Sequence, residues 1–111
     1  MNQPKVSILI SFYNLAPYVD QTLQSVLDQQ TDFPIEVLCA DDGSTDDTAD
    51  KLRSWCASNP DTIRMFVMDR EQGLKVDNRG RIRRLNAIRS RLFREARGEY
   101  LCYLDGDDFY T

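Results

Sequence analysis

The stretch Val6-Ser7-Ile8-Leu9-Ile10-Ser11-Phe12 is short, nearly continuous in apolar character and rich in β-branched residues. That pattern belongs to a strand buried on both faces of a parallel sheet, because a strand with one wet face alternates instead. Working outward, Pro17 suits the first turn of a helix, and Val19, Leu23, Val26 and Leu27 recur at helical spacing up to a stop near Gln29. Phe33-Pro34 punctuates the chain, and Ile35-Glu36-Val37-Leu38-Cys39-Ala40 reads as a second buried strand that runs into Asp41-Asp42-Gly43. Ser44 is expected to cap a second helix with acids in its first turn, whose inner side is Ala49, Leu52, Trp55 and Cys56 and whose end is Asn59-Pro60. Ile63 to Met68 follows as a third strand. From Asp69 to Arg81 the chain is polar and aperiodic, which predicts an exposed loop of about a dozen residues, a length that is often functional. Leu85, Ile88, Leu92 and Ala96 mark a third helix stopped by Gly98, and Tyr100 to Leu104 a fourth strand.

Strands alternating with helices predict the α/β class, with right-handed crossovers and a mainly parallel sheet covered by helices on both faces. The 111 residues suit one domain with an adequate core of its own. No apolar run approaches the length of a membrane span, and Met1-Asn2-Gln3-Pro4-Lys5 lacks the layout of a signal peptide, so the expected address is cytoplasmic. A net charge of -4 argues against a nucleic-acid coat. The charge is uneven: residues 1–77 carry 13 acids and 6 bases, whereas 78–111 carry 5 acids and 8 bases, all arginine. The absence of histidine removes the commonest general base and metal ligand, which leaves carboxylates for any acid-base or metal chemistry. Cys39, Cys56 and Cys102 lie in apolar segments without CxxC spacing and read as buried reduced thiols.

In such a sheet ligands bind at the carboxyl ends of the strands. Three of these ends carry polar or acidic groups: Tyr13-Asn14, Asp41-Asp42 and Asp105-Gly106-Asp107-Asp108. Five carboxylates in one crevice repel one another unless a cation neutralises them, and their hard oxygens suit Mg²⁺ or Mn²⁺, which could bridge to a diphosphate. A calcium loop is set aside, because Asp47 stands where an EF-hand needs glycine. Neither GxGxxG after the first strand nor GxxxxGK[ST] is present, so phosphate charge must be met in another way. At 100° per residue Arg89 falls within the apolar stripe of the third helix, where a guanidinium wants an anion or a carboxylate. Most of the other arginines in 79–97 read as a solvated face.

The string from Val6 to Asn14, the turn Asp41-Asp42-Gly43-Ser44-Thr45-Asp46 and the string Gly98 to Asp108 together resemble the family 2 glycosyltransferases of GT-A fold, over the whole chain. The resemblance implies a Rossmann-like donor-binding half and a nucleotide-diphospho-sugar site over residues 1–111. In that site Tyr13 and the backbone of Ser11 and Phe12 border the base with Asn14, Asp42 bonds the base, and Asp41 supports the turn. It implies Asp105 and Asp107 as the metal and ribose motif, with Asp107 the direct ligand of Mn²⁺ or Mg²⁺, and Arg89 beside the diphosphate. Ser11-Phe12 stands where the family usually has Pro-Thr, and Arg89-Ser90 where it often has Arg-Asn. The implied reaction is inverting transfer of a sugar, with a uridine nucleotide as the expected donor, to a hydroxyl of a glycan, lipid or other acceptor. Family members continue past the Asp-x-Asp turn, so the acceptor-activating base is expected beyond Thr111, and with it any membrane contact.

Two other classes stand beside this reading. A receiver-like signalling domain shares the length and the doubly wound sheet, but its acidic pair should follow the first strand, where Ser11-Phe12-Tyr13-Asn14 stands. A non-catalytic nucleotide-binding module would use the same strand ends without transfer.

Overall fold

The computed structural model describes residues 3–29, 33–68, 75–76, 82–83 and 85–106. Its elements are β1 (Val6–Phe12), α1 (Ala16–Leu27), β2 (Ile35–Asp41), α2 (Thr48–Ser58), β3 (Ile63–Val67), β4 (Lys75–Val76), β5 (Ile82–Arg83), α3 (Leu85–Glu95) and β6 (Tyr100–Asp105). The sheet has the strand order β3-β2-β1-β6 and every pairing in it is parallel. This is the expected α/β architecture.

Strand alternation divides the core into two layers. Ile8, Ile10, Phe12, Val37, Cys39 and Ile63 face α1 and α2 and pack with Val19, Leu23, Val26 and Leu52. Leu9, Leu38 and Ala40 face the other way and pack with Ile88 and Leu92 of α3. Helices therefore cover both faces, which is why β1 and β2 are continuously apolar in sequence. Each of Val19, Leu23 and Val26 is fully buried, which contributes about 1.5–3 kcal/mol per side chain relative to exposure.

The structure corrects the expectations at three places. The second helix begins at Thr48, not after a Ser44 cap, because the Ser44 hydroxyl is taken by Asp41. Within the segment expected to be a loop, Lys75–Val76 forms a strand that pairs antiparallel with Ile82–Arg83 just beyond it, too short a run for periodicity to reveal. Of the three cysteines, all free, Cys39 alone is fully buried, and burial pushes its thiol well up; Cys56 and Cys102 are half-buried.

Candidate functional site

The pairing register builds the site. On β1, Ser11 stands level with Ala40 of β2 on one side and Asp105 of β6 on the other, and Phe12 stands level with Asp41. The chain leaves β1 for β2 and β3 on one flank and returns to its other flank as β6, so strand order reverses at β1. Crevices form at the carboxyl ends of the strands beside such a reversal. Asp41, Asp105 and Gly106 thus border the same strand end.

The loops after β1 and β2 lock each other. Asn14 has φ 51°, and its Oδ1 accepts from Thr45 N at 2.8 Å, while its own N–H donates to Ser44 Oγ at 2.9 Å. Ser44 donates through both its hydroxyl and its amide to the Asp41 carboxylate. The first N–H groups of α1 lack helical partners and find them in the next loop: Leu15 N donates to Thr48 Oγ1 at 2.9 Å and Ala16 N to Asp46 Oδ2 at 3.3 Å. The Thr48 hydroxyl, with the amides of Thr48 and Ala16 in support against desolvation, holds the Asp46 carboxyl below its ordinary range. Asn14→Ala is expected to lower stability by about 1–2 kcal/mol, since alanine is strained at this left-handed φ and loses the bonds that Oδ1 accepts from the Thr45 amide and hydroxyl. Asn14→Gly keeps the φ and should recover part of that loss. Equal urea midpoints for the two variants would show that the backbone conformation contributes nothing.

The turn after β6 is gripped from below. Gly106 N donates to the Ser11 carbonyl at 2.8 Å, and the Gly106 carbonyl accepts from Thr22 Oγ1 of α1 at 2.7 Å. Tyr103 donates its hydroxyl to Ser11 Oγ at 2.7 Å, and the Arg89 guanidinium lies over the Tyr103 ring, 4.6 Å from its centroid. Arg89 is exposed although it falls on the inward half of α3, because Tyr103 carries it above the core. A cation over an aromatic face gains about 0.5–1 kcal/mol at an exposed site.

Of the residues singled out in the sequence, the structure brings Ser11, Phe12, Asp41, Asp42 and Asp105 to this rim, with Tyr13 half-buried and Asn14 exposed beside them. The Phe12 side chain, 1% exposed, belongs to the core, and its carbonyl accepts from Asp42 N at 2.9 Å. Asp41 is buried and its carboxylate accepts from the Ser44 amide and hydroxyl, and Asp42 is also buried. Asp105 is exposed, and no described side chain bonds its carboxylate. Asp107 and Asp108 lie outside the described residues. Among the described residues, no three His, Cys, Asp or Glu converge as a metal site. Sequence reasoning missed Thr22 and Tyr103. The sequence shows Thr22 on the stripe of Val19, Leu23 and Val26, but its partner, like that of Tyr103, is set by the fold.

A depression lined by Gln3, Pro34, Glu36, Thr62 and Arg97 opens at the amino ends of the strands. It borders an ion-pair network and stands at the wrong end of a parallel sheet for a ligand crevice.

The sequence model described as glycosyl transferase family 2 matches residues 7–111. The chain belongs to glycosyltransferase family 2. An uncharacterised glycosyltransferase of Nostoc is 36% identical over 107 residues, covering 96% of this chain and 29% of that protein. The crystal structure of Staphylococcus aureus TarS residues 1–349 with UDP aligns with a TM-score of 0.72 at 26% identity, covering 95% of this chain and 28% of that one. The Pyrobaculum calidifontis mannosyltransferase PcManGT, in complex with GDP-Man and Mn²⁺, aligns with a TM-score of 0.70 at 27% identity, covering 100% of this chain and 30% of that one. This family 2 chain therefore has the Rossmann-like GT-A fold and spans less than a third of the length of these relatives. Membership of the family leaves the receiver-like reading without support. No helix among the described residues is long and apolar enough to cross a membrane.

Proposed function

We propose that the rim of β1, β2 and β6 binds a nucleotide-diphospho-sugar, expected to be a uridine nucleotide, and that the protein transfers the sugar with inversion to an acceptor hydroxyl. The observation that carries this is the register that sets Ser11 between Ala40 and Asp105, so that Asp41 and Asp105 border one strand end. The TarS structure in complex with UDP and the PcManGT structure in complex with GDP-Man and Mn²⁺ support a nucleotide-sugar donor.

In this reading Tyr13 and Asp42 meet the base, Asp41 holds the turn through Ser44, and Arg89 offers its charge to the diphosphate. The carboxylate donor set fits a hard divalent cation, and the exposed Asp105 carboxylate has oxygens to give. Asp107 and Asp105 would hold Mn²⁺ or Mg²⁺, which when bound stabilises the charge of the departing diphosphate. The base that takes the acceptor proton is assigned to none of residues 1–111, since the chain has no histidine and its crevice carboxylates have other roles.

Calorimetry with UDP tests the reading. Binding is expected in Mn²⁺ or Mg²⁺ and not in chelator, because clustered carboxylates repel a diphosphate, and Asp107→Asn should weaken the metal-supported binding at least tenfold with an unchanged unfolding midpoint. Equal affinity in chelator and in metal overturns the metal assignment, and no binding in either overturns the donor site.

A further inference from the structure

The buried stripe of α1 consists of Val19, Thr22, Leu23 and Val26, and Thr22 is its one polar member. Packing alone does not ask for a hydroxyl there. Valine has nearly the same shape, and an apolar site makes an unpartnered hydroxyl costly. Threonines within helices commonly bond back to the carbonyl one turn earlier. Thr22, fully buried, instead sends its hydroxyl out of the helix to the Gly106 carbonyl, 84 positions away in sequence, at 2.7 Å.

We infer that Thr22 is a positioning residue for the donor site, acting through Gly106 on the acidic turn; the inference rests on the function proposed above. The Gly106 amide is already held by the Ser11 carbonyl at 2.8 Å, so the residue is gripped at both its N–H and its C=O. The gripped carbonyl belongs to the peptide that leads from Gly106 into Asp107. Because a peptide unit is planar, anchoring its oxygen fixes the orientation of the Gly106 carbonyl at the end of β6. Ser11 also receives the Tyr103 hydroxyl, and Tyr103 carries Arg89. One helix residue and one strand residue thus hold Gly106, next to Asp105, from beneath.

Groups that orient a metal ligand typically contribute 10- to 100-fold in affinity. By calorimetry of the 111-residue chain with UDP in Mn²⁺, Thr22→Val is expected to raise Kd about tenfold and to move Tm little, and Thr22→Ser to bind as the unchanged protein does. Val26→Ala, one turn along the same buried stripe, controls for general loosening: it should lower Tm more than Thr22→Val yet leave Kd within about twofold. A Thr22→Val protein that binds like the unchanged chain, or a Val26→Ala protein weakened as much as Thr22→Val, overturns the inference. Should Thr22→Val not fold, Thr22→Ser against Thr22→Ala makes the same comparison, the first keeping the hydroxyl and the second losing it. If the unchanged chain itself fails to bind UDP with Mn²⁺, the proposed donor site falls; if it binds and Thr22→Val binds equally, the role of Thr22 alone falls.

Discussion

Glu36→Gln is expected to lower the stability of the fold by about 3 kcal/mol, because it breaks a buried carboxylate out of a set of charged partners. Glu36 is 4% exposed at the amino end of β2. Its Oε2 accepts from Ser7 Oγ at 2.6 Å and from the Arg97 amide at 2.6 Å, and its Oε1 faces Arg64 Nη2 at 3.3 Å and Arg97 Nε at 3.4 Å. Arg64 also donates to the Glu95 carbonyl at 2.6 Å, at the last turn of α3. The single carboxylate therefore ties β1, β2, β3 and the α3–β6 connection. Because both arginines keep contact with water, the cost lies at the low end for a broken buried pair.

The same group predicts an acid limb. Burial pushes the Glu36 carboxyl up, but the Ser7 hydroxyl, the Arg97 amide and the Arg64 and Arg97 guanidinium groups together hold it below its ordinary value of 4.5. A carboxyl lowered in the fold contributes stability that is complete above its unfolded value and is lost as pH falls through its folded value. Urea unfolding between pH 7 and pH 3 should show this loss below about 4.5, with a flatter acid limb in Glu36→Gln. A parallel acid limb in the two proteins would mean that other carboxyls carry the effect.

What was legible in the sequence follows from what periodicity encodes. Val6 to Phe12 is a strand in both readings, and Ile88 and Leu92 face the core as their spacing required, since burial on a face repeats with the element. Asp41 and Asp105 could be assigned to strand ends for the same reason. Partner choice is different. Ser44 satisfied every local rule for a helix cap, yet Asp41 and Asn14 lie within its reach, and these contacts depend on two loops meeting in space. Glu36 stands within the second buried strand, and only the fold brings Arg64 and Arg97 to it. Thr22 was likewise hidden, because nothing local distinguishes a hydroxyl that packs from one that reaches a turn late in the chain.

Gly106→Ala is expected to lower stability by about 2–3 kcal/mol, as overpacking of a filled site does, and to weaken metal-supported UDP binding about 100-fold. A methyl group at Gly106 would overlap Cδ1 of the Phe12 ring and stand 2.7 Å from the Ser11 carbonyl oxygen and 2.8 Å from Phe12 Cε1. Neither neighbour can yield cheaply. Ser11 is fixed in the ladder between β2 and β6, and its carbonyl already accepts the Gly106 amide. Phe12 is 1% exposed and belongs to the buried cluster of Ile10, Val19 and Leu23, so its ring cannot shift without displacing packed neighbours. The turn itself must therefore move outward, which breaks the bonds to Ser11 and Thr22 and displaces Asp105 from the end of β1. Displacing a ligand-bearing group by about 1 Å can cost 100-fold, which makes binding the more sensitive readout. Calorimetry with UDP and Mn²⁺, run beside urea unfolding, separates the two effects. A Gly106→Ala protein with both affinity and midpoint unchanged would show that the turn can relocate without consequence, and that the acidic residues after β6 need no fixed seat on β1.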